Sequence, residues 1–163
     1  MRTRAEQIAV IRADQQLWRD LAAEVGPARY AEPGPMGDWS FADLAGHLAG
    51  WRSRTIARLE AASRGLPDPE PTWPSGLEDD DDINLWIREQ HAGRSPGELV
   101  GEYDASYDRL IGALESLPDE RLFDPDWIPW LGAPLVTVDF TGHLHEEHLG
   151  SVRAWLDGTA ADG

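Results

Sequence analysis

The chain has 163 residues, with 14 Lys and Arg against 30 Asp and Glu, so its formal net charge is −16. A surface this acidic repels phosphate backbones and anionic lipid headgroups, which argues against nucleic acid and membranes as partners. The chain has no Cys, which excludes disulfides, catalysis by a protein thiolate and Cys-ligated zinc or iron–sulfur sites.

Length and composition favour a single globular domain over residues 1–163. Hydrophobic residues make up 41% and charged residues 27% of the chain, which is ordinary globular usage. No apolar run approaches the roughly 18 residues of a membrane span, so we expect a cytoplasmic protein. The eight Trp are unusual and predict a Trp-lined core, a pocket, or both.

Two long helices are predicted in the first 65 residues. Apolar residues recur at three- and four-residue steps from Thr3 to about Val25, where Gly26 and Pro27 end the pattern. The Pro- and Gly-rich residues 27–38 form a predicted loop. The second helix starts from Ser40, which has the side chain of a helix N-cap, and ends near residue 65.

Three more helices are predicted in the rest of the chain. Residues 66–82 form a polar crossover, and a short helix follows from Ile83 to about residue 92. Ser95, Pro96 and Glu98 are typical of a helix start, and this third long helix ends at residue 118. After a loop over 118–135, the fourth long helix covers about Val136 to residue 156.

Strand-like alternation is absent from the sequence, so the fold class is all-α. Four long amphipathic helices predict an antiparallel four-helix bundle. The bundle has a long crossover between its second and third helices and an extra short helix.

Histidines on the second and fourth long helices are the candidate functional residues. At 100° per residue, His145 lies about 60° from His148 on the apolar stripe of the fourth helix, and His143 lies about 140° away on the opposite face. His47 lies one turn from Leu44 on the apolar face of the second helix. We therefore expect His47, His145 and His148 to point into one bundle interior and His143 to be solvated.

Three inward imidazoles predict a site for a divalent metal ion such as Zn, Ni, Mn or Fe. They would leave a coordination position for water or substrate. The alternative is three hydrogen-bonded core histidines without metal. A pocket beside them would be lined by Trp51 and Trp155, and the pattern identifies no catalytic base.

Two stretches of the sequence carry a family resemblance. Residues 37–51 (GDWSFADLAGHLAGW) and residues 146–150 (EEHLG) resemble the two helix signatures of the DinB-like superfamily, also called YfiT-like metal-dependent hydrolases. Residues 82–89 and 95–123 are similar to the ClbS/DfsB branch of that superfamily. The resemblance covers roughly residues 5–156.

The resemblance implies a four-helix bundle, often a homodimer, that commonly binds a divalent metal through one His on the second helix and two on the fourth. His47 and His148 match two of these positions. The usual spacing of four residues on the fourth helix places the remaining ligand at Leu144, and His145 lies beside it. Members include hydrolases and transferases or isomerases that use a low-molecular-weight thiol.

Three functions are therefore open at this point. The first is a metal-dependent hydrolase or low-molecular-weight-thiol transferase acting on a small molecule. The second is a metal-free protein of the ClbS type that binds a small molecule in a Trp-rich pocket and confers resistance. The third is a non-catalytic structural dimer whose histidines belong to the core.

Overall fold

The computed structural model describes residues 3–158, and its architecture is all-α, as the sequence predicts. Five α-helices carry the fold: α1 (Arg4–Val25), α2 (Phe41–Ser63), α3 (Asp80–Gln90), α4 (Pro96–Glu115) and α5 (Leu149–Leu156). A π-helix (His143–His148) runs directly into α5. None of the helices over residues 3–158 is long and apolar enough to cross a membrane.

The long helices begin where their capping residues predict. Thr3, Ser40 and Ser95 each accept a hydrogen bond from the backbone of the third helical residue, and an acidic side chain there bonds back to the cap. These capping boxes satisfy backbone N–H groups that a helix start leaves unpaired. The acidic residues before α3 play a related role, because Asp79 is its N-cap and the helix therefore starts at Asp80 rather than at residue 83.

The bundle core lies between α1, α2 and α4. The α2 helix packs most extensively against α4, and α4 also packs against α1. Trp18 of α1 is fully buried, stacks on Phe41 at 4.7 Å between ring centroids and meets the edge of Tyr103 at the same distance. Aromatic pairs of this geometry add to the stabilisation from apolar burial.

A small hairpin occupies part of the predicted loop before α2. Strands β1 (Pro33–Gly34) and β2 (Gly37–Ser40) pair antiparallel. The hairpin places Trp39 next to His47, with the two ring centroids 6.0 Å apart. This loop therefore forms part of the surroundings of the second-helix histidine.

The predicted fourth long helix is wrong in its first half. A 3₁₀-helix (Leu135–Thr137) is followed by irregular residues, and regular helix resumes only with the π-helix and α5. Thr141 binds Asp139 Oδ1 through both its backbone N and its Oγ1, at 2.9 and 2.8 Å. Such a local side-chain turn competes with helical bonding and explains the late start.

Candidate metal centre

Three histidines from two elements meet at one point of the bundle. His47 comes from the middle of α2, and His143 and His148 come from the two ends of the π-helix. Their candidate ligand nitrogens all lie within 4.8 Å of one another. We refer to His47, His143 and His148 as the His cluster.

The π-helix is what brings His143 into the cluster. A π-helix closes hydrogen bonds between residues five apart, so residues i and i+5 share a face, whereas an α-helix would place them about 140° apart. His143 and His148 have this spacing, and their ring centroids are 5.1 Å apart. The prediction that His143 lies on the opposite, solvated face is therefore wrong.

His145 lies outside the cluster. Its Nε2 contacts Oδ1 of Asp14, a carboxylate of α1 that is 3% exposed. The α-helical wheel predicted an inward position beside His148, but the π-turn rotates His145 towards α1 instead. His47 and His148, the other two predicted ligands, do come together, with ring centroids 5.1 Å apart.

The cluster contains buried nitrogen atoms without hydrogen-bond partners. Among residues 3–158, no group forms a hydrogen bond with the buried His47 Nδ1 or with the buried His148 Nε2. The Nε2 atoms of His47 and His143 are 2.9 Å apart. Two imidazole lone pairs at this distance repel unless a proton lies between them or both face a cation, and unpaired buried polar atoms cost free energy.

Burial favours the neutral form of all three imidazoles. Burial, followed by the nearby His143 and His148, lowers the pKa of His47 to about 3. Burial, followed by His143, lowers the pKa of His148 to about 4. The pKa of His143 is also lowered, chiefly by burial and in part by the charge of Arg52. Because a metal binds the neutral form of imidazole, the donor set fits a divalent ion of the Zn, Ni or Fe type.

A carboxylate stands next to the cluster. Oε2 of Glu147 lies 3.7 Å from His143 Nε2, and the Glu147 side chain is 64% exposed. The π-helix places this residue on the side of the helix that lines the cavity together with the cluster. Glu147 is therefore the nearest candidate for an additional ligand or a proton acceptor.

The His cluster forms part of the wall of a cavity of about 750 Å³. This volume suits a small-molecule ligand. The cavity is lined by aromatic and aliphatic side chains together with a few polar groups, among them Trp39, Trp51, Arg52, Asn84, Trp130, Phe140 and Glu147.

The two Trp predicted to line a pocket have different positions. Trp51 does line the cavity, and its Nε1 donates a 2.8 Å hydrogen bond to Asn84 Oδ1 of α3. Trp155 packs elsewhere, against Gly34 of the hairpin and under the guanidinium of Arg29 at 4.2 Å. Its role in the structure is to hold α5 against the hairpin.

Residues 11–148, a range that includes the whole His cluster, match the family model of the mycothiol maleylpyruvate isomerase N-terminal domain. The chain belongs to this family. The family is part of the DinB-like superfamily, so the superfamily resemblance is confirmed, and the finer assignment to the ClbS/DfsB branch is not.

Two uncharacterized proteins, from two strains of Mycobacterium tuberculosis, are similar to this member of the family. Each is 30% identical over 131 residues, which cover 78% of this chain and 46% of the relative. The chain thus matches less than half the length of these relatives. No solved structure matches it significantly.

Sequence reasoning missed His143, and one available signal could have found it. The superfamily spacing of four residues, counted back from His148, ends at Leu144, whose side chain is fully buried. One additional residue in this segment would move the matching position to 143, and π-helices commonly accommodate such an additional residue at functional sites. Two histidines spaced by five residues, in a superfamily that usually spaces them by four, thus indicate a π-helix between them.

Proposed function

We propose that the His cluster holds a divalent metal ion and that the chain carries out a metal-dependent reaction between a low-molecular-weight thiol and a small molecule. The observation that carries this proposal is the convergence of three imidazoles, two of which have a buried nitrogen with no hydrogen-bond partner in the described part of the chain. The description of the family, mycothiol maleylpyruvate isomerase N-terminal domain, supports a thiol of the mycothiol type. Hydrolysis at the same centre is the alternative chemistry.

A divalent ion held by His47, His143 and His148 would supply Lewis-acid polarisation and would favour the deprotonated form of a thiol or water. Oε2 of Glu147 is placed to accept the proton that is released there. The ring of Trp39 packs nearly perpendicular to that of His47. Trp51, fixed by its bond to Asn84, provides an apolar wall for the small molecule.

Metal content tests the site first. Untagged protein is refilled with Zn²⁺, Ni²⁺ or Mn²⁺, dialysed and measured by elemental analysis beside His47→Ala, His143→Ala and His148→Ala. We expect close to one ion per chain in the wild type and loss of the ion in all three variants. His145→Ala is the matched control, because it removes a neighbouring imidazole that lies outside the cluster.

The reaction class requires a second measurement. Metal-loaded protein is incubated with mycothiol and a panel of small electrophiles, and free thiol and products are followed by mass spectrometry. Thiol adducts or thiol-dependent isomerisation support thiol chemistry, whereas water addition without thiol consumption indicates a hydrolase. Absence of bound metal after refilling would remove both reactions from consideration.

The cavity itself favours a second candidate function, a metal-free small-molecule binding or resistance protein of the ClbS type. A 750 Å³ space with several Trp in its wall can bind an apolar compound without any ion. This function predicts that a ligand raises the melting temperature of chelator-treated protein. A purely structural dimer would instead show neither metal nor ligand, and changing His47 would only lower stability.

The homodimer and the cytoplasmic location stay predictions. Sedimentation of the purified chain at several concentrations would test the first. Fractionation of cells that produce the protein would test the second.

A further inference from the structure

A buried positive charge lies in the cavity wall beside the His cluster. Arg52 of α2 is 9% exposed and lines the cavity. Its guanidinium donates to the Tyr103 hydroxyl at 2.7 Å and to Ser106 Oγ at 3.1 Å. It also lies over the rings of Tyr107 and Tyr103, at 3.8 and 4.3 Å from their centroids.

All of these partners are uncharged. No carboxylate within residues 3–158 forms an ion pair with Arg52, although ten other arginines of that range do. Asp14 is connected to it only indirectly, because Tyr107 donates to Asp14 at 2.7 Å and the hydroxyls of Tyr107 and Tyr103 are 3.2 Å apart. A buried charge without a counter-charge is costly, and proteins keep one mainly where a ligand supplies the counter-charge.

The guanidinium retains donors for such a ligand. A guanidinium has five N–H groups, and the two bonds to Tyr103 and Ser106 use two of them. The stacking on two tyrosine rings and the two bonds hold its plane in one orientation. A planar fork fixed in this way matches a carboxylate better than a flexible ammonium would.

Arg52 and the His cluster line the same cavity, so one small molecule can contact both. Along the axis of α2, His47 and Arg52 are five residues apart, which corresponds to a rise of about 7.5 Å. The wall around them is largely apolar and includes Trp51, Trp130 and Phe140. A molecule that spans this distance would contact apolar side chains along its body and a charged group at one end.

We propose that Arg52 is an anion-binding residue that anchors the carboxylate of a small molecule with an apolar body, whose other end reaches the His cluster. This assignment of Arg52 rests on the proposed function in one respect only: both take the cavity as the substrate site. Four acidic residues line the cavity, and they do not oppose the anchor strongly. Asp80, Asp81, Asp139 and Glu147 are all exposed, and water and salt screen exposed charges. The anchor therefore selects anionic over neutral ligands of equal shape.

The test compares two probes of nearly the same shape, 4-phenylbutyrate and 4-phenylbutyramide, by isothermal titration calorimetry at low salt. The chelator-treated chain is used first, so that a carboxylate–metal contact cannot contribute. We expect the acid to bind at least about tenfold more tightly than the amide, because a charge-assisted fork replaces a neutral contact. Added salt should reduce this preference while leaving the binding of the amide unchanged.

Variants separate the anchor from a structural role. Arg52→Gln should abolish the preference for the acid, Arg52→Lys should restore part of it, and Ser106→Ala should keep it because the guanidinium remains. Near-UV circular dichroism checks that each variant is folded. If Arg52→Gln fails to fold, the acid preference of Arg52→Lys and the salt dependence of the wild type still test whether Arg52 binds the carboxylate.

Three outcomes would overturn the anchor: equal binding of acid and amide by the wild type, no binding of either at about 5 mM, or an unchanged preference in folded Arg52→Gln. None of these outcomes depends on metal. A wild type that binds ions but shows no acid preference refutes the anchor alone. A wild type that prefers the acid but binds no metal refutes the metal-dependent function alone.

Discussion

His143 Nε2 lies 2.9 Å from His47 Nε2, although residue 143 would face away from the bundle if its segment were α-helical. The contact exists because the segment from residue 143 to 148 is a π-helix, in which residues five apart share a face. The candidate metal centre thus depends on one extra residue in one helical turn.

Deleting Glu146 should convert this turn to α-helix while preserving the cluster. The deletion leaves His143 and His148 four positions apart, the spacing that an α-helix needs to keep them on one face. Glu146 is exposed, so little packing is lost. We expect metal stoichiometry close to that of the wild type, measured by elemental analysis after refilling.

Inserting one Ala after Glu146 is the matched control for the deletion. It lengthens the spacing to six, which neither helix type accommodates, so metal should be lost. Loss of metal from a folded deletion variant would contradict the assignment of the π-turn as an insertion.

Acid should destabilise the metal-free protein through the cluster. The pKa values of His47 and His148, about 3 and about 4, lie below the usual value of 6.5. Between these values and 6.5 the unfolded chain binds more protons than the folded chain, so stability falls as the pH is lowered. Each such His contributes a slope of up to about 1.4 kcal/mol per pH unit.

Urea unfolding of chelator-treated protein at pH values from about 7 to 4.5 measures this slope. The double variant His47→Gln/His148→Gln should lose most of it, while the contribution of the carboxylates remains. If the unfolding free energy of the double variant depends on pH as steeply as that of the wild type, these imidazoles are protonated in the folded chain as readily as in the unfolded chain.

Asp14 should stabilise the fold without contributing to metal binding. Its buried carboxylate contacts His145 on one oxygen and accepts a hydrogen bond from Tyr107 on the other. Asp14→Asn should lower the free energy of unfolding by about 2 kcal/mol, since an amide cannot satisfy both partners equally well.

Equilibrium urea unfolding and elemental analysis of the same sample check both halves of this prediction. Asp108→Asn is the comparison, because that carboxylate pairs with Arg12 at the surface and should cost less than about 1 kcal/mol. Metal loss in folded Asp14→Asn would show that the His145–Asp14 pair supports the centre.

Gly34 should be essential for docking Trp155. Its φ is +131°, and a Cβ there would lie 2.5 Å from Trp155 Cδ1. Gly34→Ala should therefore destabilise the protein by about 2 kcal/mol, because both the backbone and the indole must shift. Gly76→Ala is the control, since a Cβ there has no neighbour within 4 Å and the residue has no positive φ. Thermal unfolding compares the two, and equal melting temperatures would disprove the steric role of Gly34.

The sequence alone determined the first three long helices and one half of the candidate site. Capping residues such as Ser40 and Ser95 and the apolar periodicity act within a few residues of each other, so their effect can be read locally. The same local reading placed His47 on the inner face of α2 and Trp51 one turn further along it. It also placed His148 correctly, because this residue adjoins regular α-helix.

Only the tertiary structure decided the phase of the helix before His148. The buried side chain of Leu144 and the pairing of His145 with Asp14, which is 131 residues away in the chain, accompany a π-turn there. A helical wheel drawn at 100° per residue assumes a continuous α-helix. It therefore predicted His145 in the cluster and His143 outside it, which is the reverse of the structure. Arg52 shows the same limit: its burial beside two tyrosines of α4, without a carboxylate, depends on how α2 packs against α4, and no local pattern in the sequence encodes it.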